Sequence, residues 1–212
     1  MLVTISCLGN YGRFGNQLFQ YAYARAFSEQ LGAELHTPDW IGRELFIGID
    51  EPIMQKKGDI DLFDYFQNPE HLELLSRKKV KEWFQFKNPP KVEKHNVIFN
   101  KRRGDYLTHA DQYPIVSDES YIKGAAKFNL DYTEAVVLDQ DNPDFLTDFC
   151  LMMNCNNLFR ANSTFSWWAA TLGDCQVYSP KVEDKTGWVD VEFVKGNDEW
   201  NYRFNKYLII KD

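Results

Sequence analysis

Residues 135–172 read AVVLDQDNPDFLTDFCLMMNCNNLFRANSTFSWWAATL, and the order of apolar runs within them decides the fold class. Ala135–Leu138 is a short apolar run with the length of a buried strand, and Pro143–Met153 carries the longer apolar spacing of a helix. Leu158–Ala161 then reads as a second strand and Thr164–Leu172 as a second helix. Strand, helix, strand, helix in this order predicts an α/β domain with a parallel sheet.

Upstream of this stretch, Asn96–Phe99 reads as a strand, Lys101–Asp105 as a basic loop, and Ser117-Asp118-Glu119-Ser120 offers capping chemistry for a helix over Tyr121–Phe128. Downstream, Gln176–Tyr178 adds a strand. The N-terminal part opens with an apolar strand over Leu2–Leu8, a turn containing Gly9, Asn10, Gly12 and Gly15, and a helix from Asn16 to Leu31. Leu18, Phe19, Ala22, Tyr23, Ala26 and Phe27 give that helix a broad apolar face, with Gln17, Gln20, Arg25 and Ser28 on the other side. From Thr37 to Asn88 the pattern loosens, with Glu70–Ser76 helical and Val80–Phe86 readable as strand or helix. Pro89 and Pro90 break regular structure, so the expected division is a lobe over residues 1–92 and another over 93–212.

The chain has 212 residues, 44% hydrophobic and 16% aromatic, with a formal charge of -7. That acidity disfavours nucleic acid and anionic membrane as partners, because both require a basic face. The absence of a long apolar run predicts no membrane span, and a start without a basic front and long apolar middle makes a cytoplasmic protein the expectation. Four scattered cysteines and four scattered histidines match no paired zinc-ligand spacing.

Three motifs carry chemistry. Asn100-Lys101-Arg102-Arg103-Gly104-Asp105-Tyr106 places three cations directly after an apolar strand in an acidic chain. At the carboxyl end of a strand, guanidinium forks can hold phosphate oxygens, although a solvated basic turn has the same composition. Asn162-Ser163-Thr164-Phe165-Ser166-Trp167-Trp168 joins a strand to a helix through hydroxylated residues, which suits either phosphate at a helix start or an ordinary cap followed by core tryptophans. Gly12-Arg13-Phe14-Gly15-Asn16-Gln17 is a glycine turn opening a helix. It lacks the complete dinucleotide and phosphate-loop patterns.

Taken in order, GRFGNQLFQYA, RRGDY and NSTFSWWAA resemble the three motifs of the alpha-1,2-fucosyltransferases, and DYFQNPEHL and VSDESYIKGA extend the similarity over most of the chain. The resemblance implies a GT-B type fold of two facing Rossmann-like lobes. It also implies an inverting, metal-independent transfer of fucose from GDP-fucose to a galactose-type hydroxyl, with no cofactor beyond that donor. Arg102 and Arg103 would hold the pyrophosphate. Asn100, Asn162, Ser163, Thr164 and Phe165 would lie beside the donor, with Asp148 accepting from guanine. Gly15, Asn16 and Gln17 would serve the fucose and acceptor side. Asp105 is the candidate base, or the residue that orients the arginines.

Two departures from the family pattern stand out. Asn100 replaces the histidine usual two residues before the first arginine, and one βα unit is missing before the last motif, so the donor lobe is expected to be trimmed. A non-catalytic glycan- or nucleotide-sugar-binding protein is therefore one alternative. A metal-dependent transferase using another nucleotide sugar is a second, with Asp139 and Asp141, or Asp59 and Asp61, as metal ligands.

Overall fold

The computed structural model describes residues 1–139, 144–201, 203 and 206–210. It is a mixed α/β structure whose sheets are predominantly parallel. The chain divides into two compact units, Met1–Pro89 with Leu208–Asp212, and Pro90–Tyr207. Among the described residues no helix is long and apolar enough to cross a membrane.

The first unit contains β1 (Leu2–Thr4), α1 (Phe14–Leu31), β2 (Glu34–His36), α2 (Gly42–Leu45), β3 (Ile60–Asp61), α3 (Pro69–Leu72) and α4 (Arg77–Trp83). Its sheet has the order β2-β1-β3 with parallel pairing. The expected strand over Leu2–Leu8 is only three residues long, because the chain turns at once: the Leu8 N–H donates to Ile5 O and the Tyr11 N–H to Cys7 O. The expected helix over Glu70–Ser76 also resolves differently. α3 ends at Leu72, and Ser76 caps the next helix by accepting from the Lys79 N–H.

The sidedness expected of α1 is corrected as well. Gln17, Gln20 and Ser28 are buried rather than solvent-facing. Burial of a carboxamide is tolerated only when its hydrogen bonds are made. Here the nitrogens are bonded, Gln17 donating to Gly12 O at 3.1 Å and Gln20 to Tyr11 O at 2.8 Å, so both amides brace the glycine turn, while each Oε1 has no hydrogen-bond partner among the described residues.

The second unit begins with β4 (Val97–Lys101), α5 (Gly104–Thr108), β5 (Pro114–Val116), α6 (Asp118–Lys127) and β6 (Val136–Asp139). It continues with α7 (Phe145–Asn154), β7 (Asn157–Phe159), α8 (Thr164–Leu172), β8 (Gln176–Pro180), β9 (Gly187–Val189), β10 (Phe193–Lys195) and β11 (Glu199–Asn201). A five-stranded sheet runs β10-β8-β7-β4-β6, parallel except for β10. β5 and β9 form a separate parallel pair. Phe99, Tyr121, Ala125, Phe159, Tyr178 and Phe193 belong to the core under this sheet, and the Phe159 and Tyr178 rings stack at 4.4 Å.

The order of these strands positions the site. From β4 the chain crosses to β6 on one side of it, and from β7 it crosses to β8 on the other. The β4–β7 seam is therefore a topological switch point, where crossover connections diverge and leave a crevice beyond the carboxyl ends. Lys101, expected in a loop, is the last residue of β4, and Gly104 already starts α5. The basic run is thus a strand end joined to a helix start.

Candidate functional site

β4 and β7 are adjacent and parallel, with Phe99 opposite Phe159. The residues that follow each strand therefore emerge together at the switch point: Arg102 and Arg103 after β4, and Asn162, Ser163 and Thr164 after β7. Tyr106 on α5 ties the two segments, since its hydroxyl donates to Asn162 O at 3.2 Å. Its ring lies under the Arg102 guanidinium at 4.9 Å and stacks on Tyr113 at 4.6 Å.

Each cation of the run has a carboxylate partner. Lys101 Nζ lies 2.5 Å from Asp118 Oδ1, and Arg102 Nη2 lies 2.7 Å from Asp105 Oδ1. Arg103 pairs with Asp118 through Nη2 and stands 3.9 Å from Asp139 through Nη1. Its guanidinium also sits 5.2 Å from the centre of the Trp188 ring, on β9. The two arginines thus take different neighbours, Arg102 toward Tyr106 and Asn162, and Arg103 toward Asp118, Asp139 and Trp188.

Asn100 is fully buried on β4. Its Oδ1 accepts from the Ala161 N–H at 3.3 Å, its backbone oxygen accepts from the Tyr121 hydroxyl at 2.7 Å, and its Nδ2 has no hydrogen-bond partner among the described residues. It locks β4 to the segment after β7 from below. Asn162 is also buried, and its Oδ1 has no hydrogen-bond partner among the described residues. Ser163 caps α8 by accepting from the Phe165 N–H at 3.3 Å, and its own N–H donates to Glu199 Oε2 at 3.1 Å. Thr164 is the first residue of α8. Phe165 packs its edge on Phe149 at 5.1 Å, and Asp148 is buried on α7, the helix that carries Phe149.

Beneath Ser163 lies a buried pair that the sequence reading missed. Arg160 is wholly inaccessible and pairs with Glu199 of β11, while its Nε donates to Ser179 Oγ at 3.0 Å and its Nη1 to Ala161 O at 2.9 Å. Burial pushes Glu199 up to about 7, against the opposing pull of Arg160 and of the Ser163 N–H. The only hint of this pair is an arginine directly after the apolar LF of a strand; its partner lies 39 residues away.

In the first unit, Gly15, Asn16 and Gln17 form the opening of α1. Asn16 Oδ1 accepts from Gln67 Nε2 at 2.8 Å. Gly12 has φ +86, and a Cβ there would stand 2.6 Å from Asn16 Nδ2 and 2.7 Å from a Tyr65 ring carbon, so glycine alone fits. Tyr65 stacks on Tyr11 at 4.3 Å, and Tyr11 meets Phe63 at 5.4 Å. Tyr65 and Gln67 fall within the DYFQNPEHL stretch of the resemblance, but no role was read for them, and Tyr11 and Phe63 were not singled out. Phe63 is 65% exposed.

The acidic pairs considered as metal ligands have other partners. Asp61 accepts from the Thr4 hydroxyl and from both the N–H and hydroxyl of Ser6, and Asp59 accepts from the Leu2 N–H at 2.8 Å. Asp139 faces Arg103, and Asp141 lies outside the described residues.

The family model for glycosyl transferase family 11 matches residues 126–207, the stretch from the end of α6 through Asn162–Phe165 to Glu199. No curated protein matches the chain. Family 11 is the alpha-1,2-fucosyltransferase family, and the residues its model matches all lie in the second unit.

Proposed function

We propose that this protein is an inverting alpha-1,2-fucosyltransferase of the GT-B type, built on two Rossmann-like lobes, which moves fucose from GDP-fucose to a galactose-type hydroxyl without a metal ion. The observation that carries this reading is the meeting of the RRGDY and NSTF segments at the carboxyl ends of two adjacent parallel strands, one of them within the stretch matched by a glycosyltransferase family. A switch point of a parallel sheet is where nucleotides bind, and arginine forks complement diphosphate oxygens.

In this reaction the acceptor oxygen forms a bond to the anomeric carbon on the face opposite the diphosphate. The bond from that carbon to the phosphate oxygen breaks, and its electron pair leaves on GDP. The hydroxyl proton passes to a carboxylate, for which Asp105 is the candidate; its contact with Arg102 equally suits it to hold that guanidinium. Negative charge grows on the leaving diphosphate as the bond lengthens. Donors already aimed at it lower the barrier, each by about 3 kcal/mol. Arg102 and Arg103 are those donors, the Asn162–Phe165 segment flanks them, and Asp148 takes the guanine N–H groups. Gly15, Asn16 and Gln17 belong to the acceptor side.

A thermal-shift series with GDP, UDP, CMP and their sugars, with and without EDTA, tests the proposal. GDP and GDP-fucose should stabilise the wild type, EDTA should change nothing, and Arg102→Ala should lose most of the shift. A preference for UDP that EDTA removes would point to the metal-dependent alternative. GDP binding without transfer or hydrolysis across an acceptor panel would point to a non-catalytic binder.

A further inference from the structure

The charges around the basic run are balanced. Lys101, Arg102 and Arg103 face Asp105, Asp118 and Asp139, three cations against three carboxylates among the described residues. An anion approaching this site therefore meets cations that already have counter-ions, and it binds only by exchanging with them. Asp118 stands apart from the others because one of its oxygens serves two cations, Lys101 and Arg103.

We propose, on the reading of this site as a diphosphate site, that Asp118 is its resident counter-ion: the diphosphate of a nucleotide displaces it from Lys101 and Arg103, and it thereby sets how tightly nucleotide is held and how fast it leaves.

Exposure supports this exchange. The Asp118 side chain is 56% exposed, whereas those of Lys101 and Arg103 are 12% and 20% exposed. The carboxylate is thus the partner with open solvent to turn into, whereas the two cations are largely enclosed. Each cation has a second hold that does not depend on Asp118. Arg103 rests on the Trp188 ring, and Lys101 lies 5.8 Å from the centre of the Tyr121 ring; a cation over an aromatic face retains part of its stabilisation. Nor does α6 depend on the Asp118 side chain, since its cap is Ser117, whose Oγ accepts from the Ser120 N–H at 3.2 Å.

The exchange favours a diphosphate on elementary grounds. Asp118 brings one negative charge and two oxygens, and a diphosphate brings more of both and can satisfy a planar fork as well. The hydrogen bond from Lys101, with Arg103 behind it, holds the Asp118 carboxyl below the usual carboxylate range. At neutral pH it is therefore always a charged competitor.

If Asp118 merely oriented the two cations, its loss would weaken anion binding; if it competes with the ligand, its loss strengthens binding. Calorimetry on the full chain with GDP and with inorganic pyrophosphate separates the two. Asp118→Asn should bind both probes about tenfold more tightly, equivalent to about 1.4 kcal/mol, with a steeper loss of affinity in salt and slower GDP dissociation. Asp118→Ser repeats the neutralisation with another residue that favours a helix start, and should gain likewise. Asp118→Glu, which keeps the charge, should show no such gain.

A gain in affinity cannot come from a misfolded variant. Equal or weaker binding by both neutral variants, with wild-type binding intact and sensitive to Arg102→Ala, overturns the counter-ion role alone. If wild type and variants all fail to bind GDP or pyrophosphate, the diphosphate reading falls, and this inference with it.

Discussion

A guanidinium and an ammonium carry the same charge, but only the guanidinium is planar and presents a fork. Arg103 uses that shape in full, with Asp118 and Asp139 at its edge and the Trp188 ring at its face. Arg103→Lys should therefore lower kcat/KM for GDP-fucose by at least about tenfold, or about 1.4 kcal/mol of barrier, while the melting temperature stays close to wild type. A lysine variant with wild-type kcat/KM would remove Arg103 from the diphosphate site. Ser163→Ala should cost less than either arginine substitution, because the Ser163 hydroxyl caps α8 and its N–H already serves Glu199. In the first unit, Asp61 gives a residue-scale effect of pH. Burial alone would raise its carboxyl, but bonds from Lys57, Ser6 and Thr4 outweigh burial and hold it below the ordinary value. A carboxyl depressed in the folded state stabilises the fold above its unfolded value near 4, and that stability is lost as pH falls through the folded value. Thermal melts from pH 6 down to about pH 2 should thus show an acid-side decline for the wild type that is shallower in Asp61→Asn. Parallel slopes would mean that Asp61 is not the titrating group.

Among the elements, β7 and the start of α8 depend on a strand far along the chain. Glu199 of β11 accepts from both Arg160 and the Ser163 N–H, and Asn197, just before β11, donates to Trp167 O at 2.9 Å and to Thr171 Oγ1 at 2.8 Å on α8. Removing one partner of a buried pair leaves an uncompensated charge, at about 3–5 kcal/mol. Glu199→Ala should lower unfolding stability in urea by that order, and a loss under about 1 kcal/mol would mean the pair is far better solvated than its burial implies. This dependence also marks where the sequence was legible and where it was not. α8 has the predicted limits Thr164–Leu172, because a capping serine and a continuous apolar run are local signals. The parallel sheet followed from the alternation of strand and helix, whereas the adjacency of β4 and β7 did not, because alternation leaves the order of strands open. The pairing of Arg160 with Glu199, and of Arg103 with Trp188, did not, because long-range ionic and cation–ring contacts leave no periodicity to read. The buried amides of α1 were missed for a related reason. Glutamine counts as polar in a helical pattern, and only the glycine turn folded above it reveals why Gln17 and Gln20 face inward.

For the molecule as a whole, the division of the chain makes its own prediction. The two compact units part between Pro89 and Pro90, and the segment from Lys87 to Asn96 has neither helix nor strand. Lys87, Lys91 and Lys94 are exposed within it. Consecutive prolines keep this backbone extended and deny it regular pairing, and exposed irregular segments are where proteases cut first. Brief treatment of the native protein with a lysine-specific protease should therefore nick after Lys91 or Lys94 before any site inside β4–β8, and intact-mass measurement should recover fragments that begin at Val92 or His95. Lys101 and Lys127 should be spared: the first is mostly buried at the end of β4 and bonded to Asp118, and the second is held by Glu192 at the end of α6. Early cleavage after Lys101, before any at Lys91 or Lys94, would mean that the end of β4 opens more readily than the segment before it, and would undo the picture of a rigid strand end presenting its cations to a ligand.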